Sequence, residues 1–378
     1  MEQTIILGKD SHREISGILS GIGVRKYMLV HGGAFSRLPI RAYFDGIPMP
    51  CVRFGRFTPN PTYEDVLEGV ALFNREECDA LIGVGGGSSL DVAKCIKLFC
   101  RMDPAQEYIA QVFKDSRIPL IALPTTAGTG SESTRFAVIY RNGEKQSIAH
   151  DSILPDYAIL EPSVLKTLPL YQKKCTMLDA LCQGIESWWS IHSTFESRVF
   201  SRSSVERIVR NYRLYLLDGE DEASQQMLMA SNDAGRAINI AQTTAAHAMS
   251  YQLTKMYHLP HGHAVAVCLP KVWRYMLLNP DRCTDPRGLG HLLKTFDEIG
   301  DALGAQSSDS AIEWFEALLA EMQMELPVSH QNQDVEILGA SVNATRLKNN
   351  PVYLGDEALV MLYRGIVVAH DGGKNLAP

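Results

Sequence analysis

A short apolar run that leads directly into a glycine-rich turn and a helical pattern constrains this chain more than any other feature. Ala80–Val84 has the length of a buried strand, and Gly85–Ser89 follows it without a break. Leu90–Phe99 then has helical periodicity. Successive glycines let a backbone approach a ligand, and a helix start offers free N–H groups. The junction therefore fits a diphosphate group, although a tight turn without a ligand has the same pattern.

A second junction of the same kind shifts the balance towards a ligand. Pro119–Leu123 is another apolar run, and it leads into Pro124–Glu132, which is rich in glycine and hydroxyl groups. Tyr27–His31 is a further candidate strand, and Pro61–Asn74 is a candidate helix with acids in its first turn. This alternation predicts a parallel sheet with helices on both faces. The loops after its strands share one edge, where a nucleotide would bind.

After about Pro162 the pattern becomes almost purely helical. The predicted helices are Met177–Trp189, Glu196–Leu217, Ala223–Gln242, Ala246–Met256, Gly288–Leu303, Ser310–Met322, Val335–Ala344 and Asp356–Val368. We therefore expect an α/β nucleotide-binding domain over residues 1–163, followed by an all-α domain over residues 164–378 that holds a metal and the catalytic groups.

Composition excludes several classes of function. The formal net charge of −7 argues against non-specific binding to nucleic acid. No apolar run reaches the roughly 18 residues of a membrane span, and the N-terminus has no signal-peptide pattern. We therefore expect a cytoplasmic protein without a membrane or nucleic-acid partner. The eight cysteines form no Cys-x-x-Cys pair, which is typical of reduced, buried thiols rather than a structural zinc site.

Four side chains in the helical half form a candidate metal cage. His247 begins a predicted helix that Pro260 ends, and His261 follows that proline directly. Asp179 and Gln183 lie one turn apart on another predicted helix, so they face the same way. This set of two nitrogens and two oxygens suits Fe²⁺ or Zn²⁺ better than Mg²⁺ or Ca²⁺. Each residue also has an ordinary interpretation as a surface or core group, and Cys182 is a less favoured ligand.

Several motifs follow one another in a fixed order along the chain. They are Pro59-Asn60-Pro61-Thr62, Gly85-Gly86-Gly87-Ser88 with Asp91 and Lys94, Pro124–Glu132, Asp179-Ala-Leu, Ile185-Glu186, His247-Ala-Met, Pro260-His261-Gly262 and Asn350-Pro351. In this order they resemble the iron-containing (group III) alcohol dehydrogenases over essentially the whole chain. The resemblance implies an α/β nucleotide domain, a helical domain and metal-assisted hydride transfer between NAD(P)H and an aldehyde. We also expect a homodimer.

The resemblance assigns roles to individual residues. Contacts to the dinucleotide fall on Gly86, Gly87, Ser88, Asp91, Thr125, Thr126 and Thr129, with Asn60 and Lys145 as weaker candidates. Metal ligands fall on Asp179, His247 and His261. After the first strand, NAD-preferring members tend to carry an acid that would repel a 2′-phosphate. Gly32 stands there in this chain, so we favour NADPH, with NADH as the alternative.

Two positions depart from the family pattern. The family usually has histidine where this chain has Gln183, and a second histidine where it has Tyr251. An amide oxygen binds a borderline metal more weakly than imidazole does, so lower metal affinity is expected. A tyrosine hydroxyl, with its ordinary pKa of about 10, acts as a proton donor or relay rather than a strong base.

With these two departures, the chain resembles one branch of the family in particular, the enzymes that reduce phosphonoacetaldehyde to 2-hydroxyethylphosphonate. A phosphonate dianion needs a cation beside the aldehyde, and Lys255 and Arg135 are the candidates. Three alternatives stay open. They are a general short-chain aldehyde or lactaldehyde reductase, a metal-dependent lyase related to dehydroquinate synthase, and a nucleotide-binding protein that has lost its metal.

Overall fold

The computed structural model describes residues 3–217, 220–331 and 333–369. The strands are β1 (Thr4–Leu7), β2 (Tyr27–His31), β3 (Cys51–Phe54), β4 (Ala80–Gly85), β5 (Leu120–Pro124), β6 (Phe136–Arg141), β7 (Glu144–Ala149) and β8 (Tyr157–Leu160). The helices before β8 are α1 (Glu14–Gly21), α2 (Arg41–Asp45), α3 (Tyr63–Arg75) and α4 (Gly87–Phe99).

Helices dominate the rest of the described chain. They are α5 (Leu170–Trp189), α6 (Phe195–Leu217), α7 (Asp221–Ala241), α8 (Ala245–Tyr257), α9 (His261–Leu278), α10 (Leu289–Leu303), α11 (Ser308–Glu321), α12 (Asp334–Ala340), α13 (Ala344–Leu347) and α14 (Asp356–Arg364). None of the helices in the described ranges has the length and apolar character to cross a membrane.

Six strands form one parallel sheet in the order β1-β8-β5-β4-β2-β3. The fold class predicted from the sequence, an N-terminal parallel α/β region followed by a helical region, is therefore confirmed. Strands β6 and β7 form a separate antiparallel hairpin, which the sequence analysis did not predict. Asn142 and Gly143 turn this hairpin with φ angles of 51° and 76°, the left-handed pair that favours a two-residue hairpin turn.

Local sequence explains how the first helices form against the sheet. Thr62 caps α3 by accepting a hydrogen bond from the backbone of Asp65, whose side chain bonds back to Thr62. Helix α4 begins directly after the fully buried strand β4. A Cβ at Gly83 would lie 3.1 Å from both Ala93 and Leu90, so the absence of a side chain lets α4 pack closely on the strand.

The chain divides into two compact units that do not follow sequence order. One contains the chain up to Ala180 together with Arg207–Asn239. The other contains Leu181–Glu206 and the chain from Ile240 onwards. Helices α5, α6 and α7 therefore each contribute to both units. The boundary between residues 163 and 164 stays a prediction about the order of domains along the sequence.

The connection between α8 and α9 differs from the sequence expectation. The sequence predicts a turn that carries His261, whereas the structure has His261 as the first residue of α9, which continues past Pro270. His258 ends α8 with a φ of 55°, and Pro260 precedes the new helix. The two helices are thus separated by only three residues, and His261 has the fixed backbone of a helix start.

Candidate active site

Three neighbouring strands end in the residues that the sequence analysis assigned to a dinucleotide. Gly32 follows β2, Gly86 follows β4 and Thr125 follows β5, and these strands lie side by side in the sheet. The N–H of Thr125 donates to the carbonyl of Gly85 over 2.9 Å. The two glycine-rich loops are thereby joined at the carboxyl edge of the sheet, where α/β proteins bind their ligands.

The loops approach one another too closely for ordinary side chains. A Cβ at Gly87 would lie 3.0 Å from the methyl group of Thr129, and one at Gly86 would lie 3.4 Å from the side chain of Thr126. Gly85 has a φ of 154°, and a Cβ there would lie 2.3 Å from Ser89 Oγ. Glycine is therefore required where β4 meets α4, and the start of α4 is left open to a ligand.

Asn60 joins the same edge from another loop. It has a φ of 62°, a left-handed conformation that asparagine tolerates better than most residues. Its N–H donates to Ser88 Oγ over 3.4 Å. The structure therefore places Asn60 beside Ser88 and the first loop. Their contact with a dinucleotide remains a prediction.

A buried lysine holds the second loop against α4. Lys94 Nζ donates to Ser131 Oγ at 2.9 Å, to Thr134 Oγ1 at 3.0 Å and to the carbonyl of Phe136 at 2.8 Å. Asp91 accepts a hydrogen bond from Ser131 Oγ at 2.8 Å. Burial lowers the pKa of Lys94 to about 8, while the nearby carboxylate of Asp91 opposes that shift.

Asp91 has a structural role in this hydrogen-bond network. Its second oxygen accepts from the N–H of Val138 at 2.9 Å, so it links α4 to β6 as well as to the loop. Burial raises the pKa of Asp91, and the charges of Lys94 and Lys145 oppose the rise. The role of Asp91 and Lys145 as cofactor contacts remains a prediction.

Three helices bring the candidate metal ligands together. Asp179 lies on α5, His247 in the first turn of α8 and His261 at the start of α9. One candidate ligand atom from each residue lies within 4.8 Å of the others. A carboxylate and two imidazoles in so small a volume fit a divalent transition metal. Gln183 is buried one turn along α5 from Asp179, on the same face of the helix.

A buried carboxylate supports His247 and was given no role by the sequence analysis. Glu186 Oε2 is hydrogen-bonded to His247 Nδ1. Its other oxygen accepts from Thr244 Oγ1 at 2.7 Å and from the N–H of Ala246 at 2.9 Å. The available signal was its position seven residues after Asp179, on the same face of α5.

The three residues predicted to be catalytic have different surroundings. The Tyr251 ring stacks on the His261 ring with centroids 5.8 Å apart and planes 6° apart. Lys255 is exposed one turn further along α8. Arg135 forms an ion pair of 3.0 Å with Asp151. Tyr251 is therefore next to a candidate metal ligand, while the assignment of Lys255 and Arg135 to the substrate stays a prediction.

Comparison with known proteins identifies the family. Residues 2–162 match the model of iron-containing alcohol dehydrogenase, and residues 174–367 match that of the Fe-containing alcohol dehydrogenase family, C-terminal. A phosphonoacetaldehyde reductase of Streptomyces viridochromogenes is 34% identical, with 67% of each chain covered. A probable alcohol dehydrogenase of Escherichia coli is 33% identical over 80% of this chain and 76% of its own length.

Solved structures agree with the sequence matches. The sulfoacetaldehyde reductase from Bifidobacterium kashiwanohense, in complex with NAD+, has a TM-score of 0.86 and 26% identity over 96% of each chain. A 1,3-propanediol oxidoreductase has a TM-score of 0.85 and 24% identity over 96% of this chain and 97% of its own, and it supports the fold alone. The chain belongs to the iron-containing alcohol dehydrogenase family and is an NAD(P)-dependent alcohol dehydrogenase.

Proposed function

We propose that this dehydrogenase reduces phosphonoacetaldehyde to 2-hydroxyethylphosphonate in the cytoplasm, as a homodimer that serves phosphonate biosynthesis. The observation that carries the substrate is the 34% identity to a phosphonoacetaldehyde reductase. The structural neighbour named as a sulfoacetaldehyde reductase supports the same class, since a sulfonate and a phosphonate are both tetrahedral oxyanions. We propose NADPH as the reductant and Fe²⁺ or Zn²⁺ as the metal.

The proposed ligands are Asp179, Gln183, His247 and His261. When bound, the metal supplies Lewis acidity towards the aldehyde oxygen and the reduced nicotinamide supplies the hydride. We assign to Tyr251 the delivery of the proton of the product hydroxyl group, and the stacking of its ring on that of His261, a proposed ligand, supports this role. The loops that contain Gly86, Gly87, Ser88, Thr125, Thr126 and Thr129 orient the cofactor, with Asn60, Asp91 and Lys145 around them.

The phosphonate needs a positive partner, and we assign this role to Lys255 and Arg135. Lys255 lies four residues after Tyr251, so the two share one side of α8. Arg135 is paired with Asp151, whose side chain is 86% exposed. Surface ion pairs of this kind contribute about 0–1 kcal/mol, so a phosphonate dianion would compete with Asp151 for the guanidinium.

A panel of aldehydes tests the substrate. We expect kcat/KM for phosphonoacetaldehyde to exceed that for propanal by about 100-fold, because hydrogen bonds to charged groups contribute about 1.5–3 kcal/mol each. NADPH oxidation is followed by its absorbance, and the alcohol product is quantified. The Lys255→Gln and Arg135→Gln variants should lose activity on phosphonoacetaldehyde and keep their activity on propanal.

Each other outcome supports a different alternative. Equal turnover of propanal or lactaldehyde would favour a general short-chain aldehyde reductase. Product formation without net NADPH oxidation would favour a lyase related to dehydroquinate synthase. No turnover of any aldehyde, with or without added Fe²⁺ or Zn²⁺, would favour a nucleotide-binding protein that has lost its metal.

The cofactor preference has its own test at Gly32. In Gly32→Asp we expect kcat/KM with NADPH to fall by about 100-fold, because a carboxylate would repel the 2′-phosphate. The kcat/KM with NADH, which has no 2′-phosphate, should be retained. A Cβ at this position lies 3.0 Å from Ser89 Oγ, which can rotate away. Gly32→Asn adds the same bulk without the charge and serves as the control. Equal losses with both cofactors in Gly32→Asp would contradict the NADPH assignment.

Because Gln183 is an unusual metal ligand, we expect that replacing it with histidine increases the affinity for metal. The Gln183→His variant should bind Zn²⁺ about 10- to 100-fold more tightly than the wild type, since imidazole is a better ligand for a borderline metal than an amide oxygen. Competition with a coloured chelator measures the dissociation constant. Gln183→Leu, which keeps the bulk and removes the oxygen, should bind more weakly. Unchanged affinity in both variants would remove Gln183 from the ligand set.

A further inference from the structure

We propose that Glu186 is a positioning residue that fixes the tautomer of His247 and thereby sets the affinity of the centre for its metal. This inference rests on the proposed ligand set, in which His247 binds the metal. Glu186 has no role in the proposed ligand set or in the proposed reaction.

The Glu186 carboxylate is buried and surrounded by hydrogen-bond donors. The residue is 0% exposed, and His247 is 3% exposed. Glu186 Oε1 accepts from Thr244 Oγ1 at 2.7 Å and from three backbone N–H groups, those of Thr244 at 3.1 Å, Ala246 at 2.9 Å and His247 at 3.4 Å. These donors all point at one oxygen, so the carboxylate has little freedom to turn.

The three N–H groups that bond to Glu186 belong to the start of α8. The first N–H groups of a helix have no partner within it, and Thr244 makes no side-chain cap of its own. Glu186 therefore caps α8 from a neighbouring helix, and its negative charge is favourable at the positive end of the helix dipole. The same bonds that stabilise the helix hold Oε2 in place against His247.

The tautomer of His247 follows from this arrangement. An ionised carboxylate only accepts hydrogen bonds, so Nδ1 of His247 must carry the proton that it donates to Oε2. In the neutral ring, Nε2 then has the lone pair that a metal requires. A ring without this partner would divide its proton between the two nitrogens, and the tautomer with the proton on Nε2 cannot bind metal through that atom.

The substitution Glu186→Gln separates charge from shape. Its amide oxygen can still accept from the start of α8, which leaves the NH2 group facing His247 and turns Nδ1 into an acceptor. The proton then moves to Nε2. We expect Zn²⁺ affinity to fall by about 10- to 100-fold, the usual effect of losing a carboxylate behind a histidine ligand. Thr244→Val removes one bond to Oε1 and none to His247, so it should bind Zn²⁺ within about twofold of the wild type.

Two readouts are independent of activity. Chelator competition gives the dissociation constant for Zn²⁺. Nitrogen NMR of the metal-free protein, labelled at histidine and assigned by comparison with His247→Ala, reports which ring nitrogen carries the proton. We expect Nδ1 in the wild type and in Thr244→Val, and Nε2 in Glu186→Gln. A proton on Nε2 in the wild type overturns the proposal, and that measurement does not depend on any Glu186 variant folding.

The His247→Ala variant distinguishes this proposal from the ligand assignment beneath it. If His247→Ala binds Zn²⁺ as tightly as the wild type, His247 is not a ligand and the proposed centre is wrong. If His247→Ala loses the metal while Glu186→Gln binds it normally, the ligand assignment stands and the positioning role of Glu186 is wrong.

Discussion

Asp179→Ala is expected to lose at least about 1,000-fold in kcat/KM, equivalent to roughly 4 kcal/mol of transition-state stabilisation. Asp179 is the anion of the proposed set, which otherwise consists of two imidazoles and an amide. Without it, a buried divalent cation would have no compensating charge from these ligands. Turnover is measured with saturating metal, and metal content is measured by emission spectroscopy after gel filtration.

Two further variants make this result interpretable. Asp179→Asn keeps the shape and one oxygen but loses the charge, so its activity and metal content should lie between those of the wild type and Asp179→Ala. Asp301→Ala removes an exposed carboxylate from α10 and should behave as the wild type. An Asp179→Ala protein that retains its metal and stays within tenfold of wild-type turnover would disprove the metal centre.

Gly130→Ala is expected to lower the melting temperature by roughly 6–12 °C, as about 3 kcal/mol of destabilisation would in a large domain. Gly130 has a φ of 59°, and a Cβ there would lie 2.5 Å from Gly235 Cα and 2.7 Å from the carbonyl oxygen of Ser231. Both neighbours are backbone atoms of α7 that cannot rotate away. The second glycine loop would therefore have to move off α7, and NADPH affinity, measured by fluorescence, should fall with it.

Gly143→Ala is the matched control for that experiment. Gly143 also has a left-handed backbone, with a φ of 76°, but a Cβ there would meet open space. Gly143→Ala should therefore lower the free energy of unfolding by only about 1 kcal/mol, which is the cost of the left-handed conformation for an alanine. If both variants melt at the same temperature, the close approach of Gly130 and Gly235 does not limit stability.

The sheet and its loops were predictable because their signals are local. A buried strand such as β4 is an unbroken apolar run, and the glycine turn that follows it marks the edge of the sheet. Helix α9 was missed because Pro260 and Gly262 resemble a turn, whereas Pro260 occupies the position before the helix, where its missing N–H costs nothing. The hairpin of β6 and β7 was missed although Asn142-Gly143 is a recognised turn pair.

The candidate metal site was partly accessible to sequence reasoning. The spacing of Asp179 and Gln183 follows from helix geometry, so their shared face could be stated in advance. The proximity of His247 and His261 depends on how α9 follows α8, and their rings, 5.4 Å apart, could not be placed from periodicity. Glu186 required the tertiary structure, because its partners at the start of α8 are about 60 residues away along the chain.

The contact between Gly130 and Gly235 has a consequence for recombination within the family. These glycines lie in different halves of the sequence but in the same compact unit, since Arg207–Asn239 packs with the N-terminal part of the chain. A chimera joined at residues 163 and 164 would combine one parent's nucleotide loop with the other parent's α7. Such an exchange preserves the loop only if the parent that supplies the N-terminal part has glycine at position 130 and the parent that supplies the C-terminal part has glycine at position 235. Parents are therefore best matched at these two positions before the crossover point is chosen.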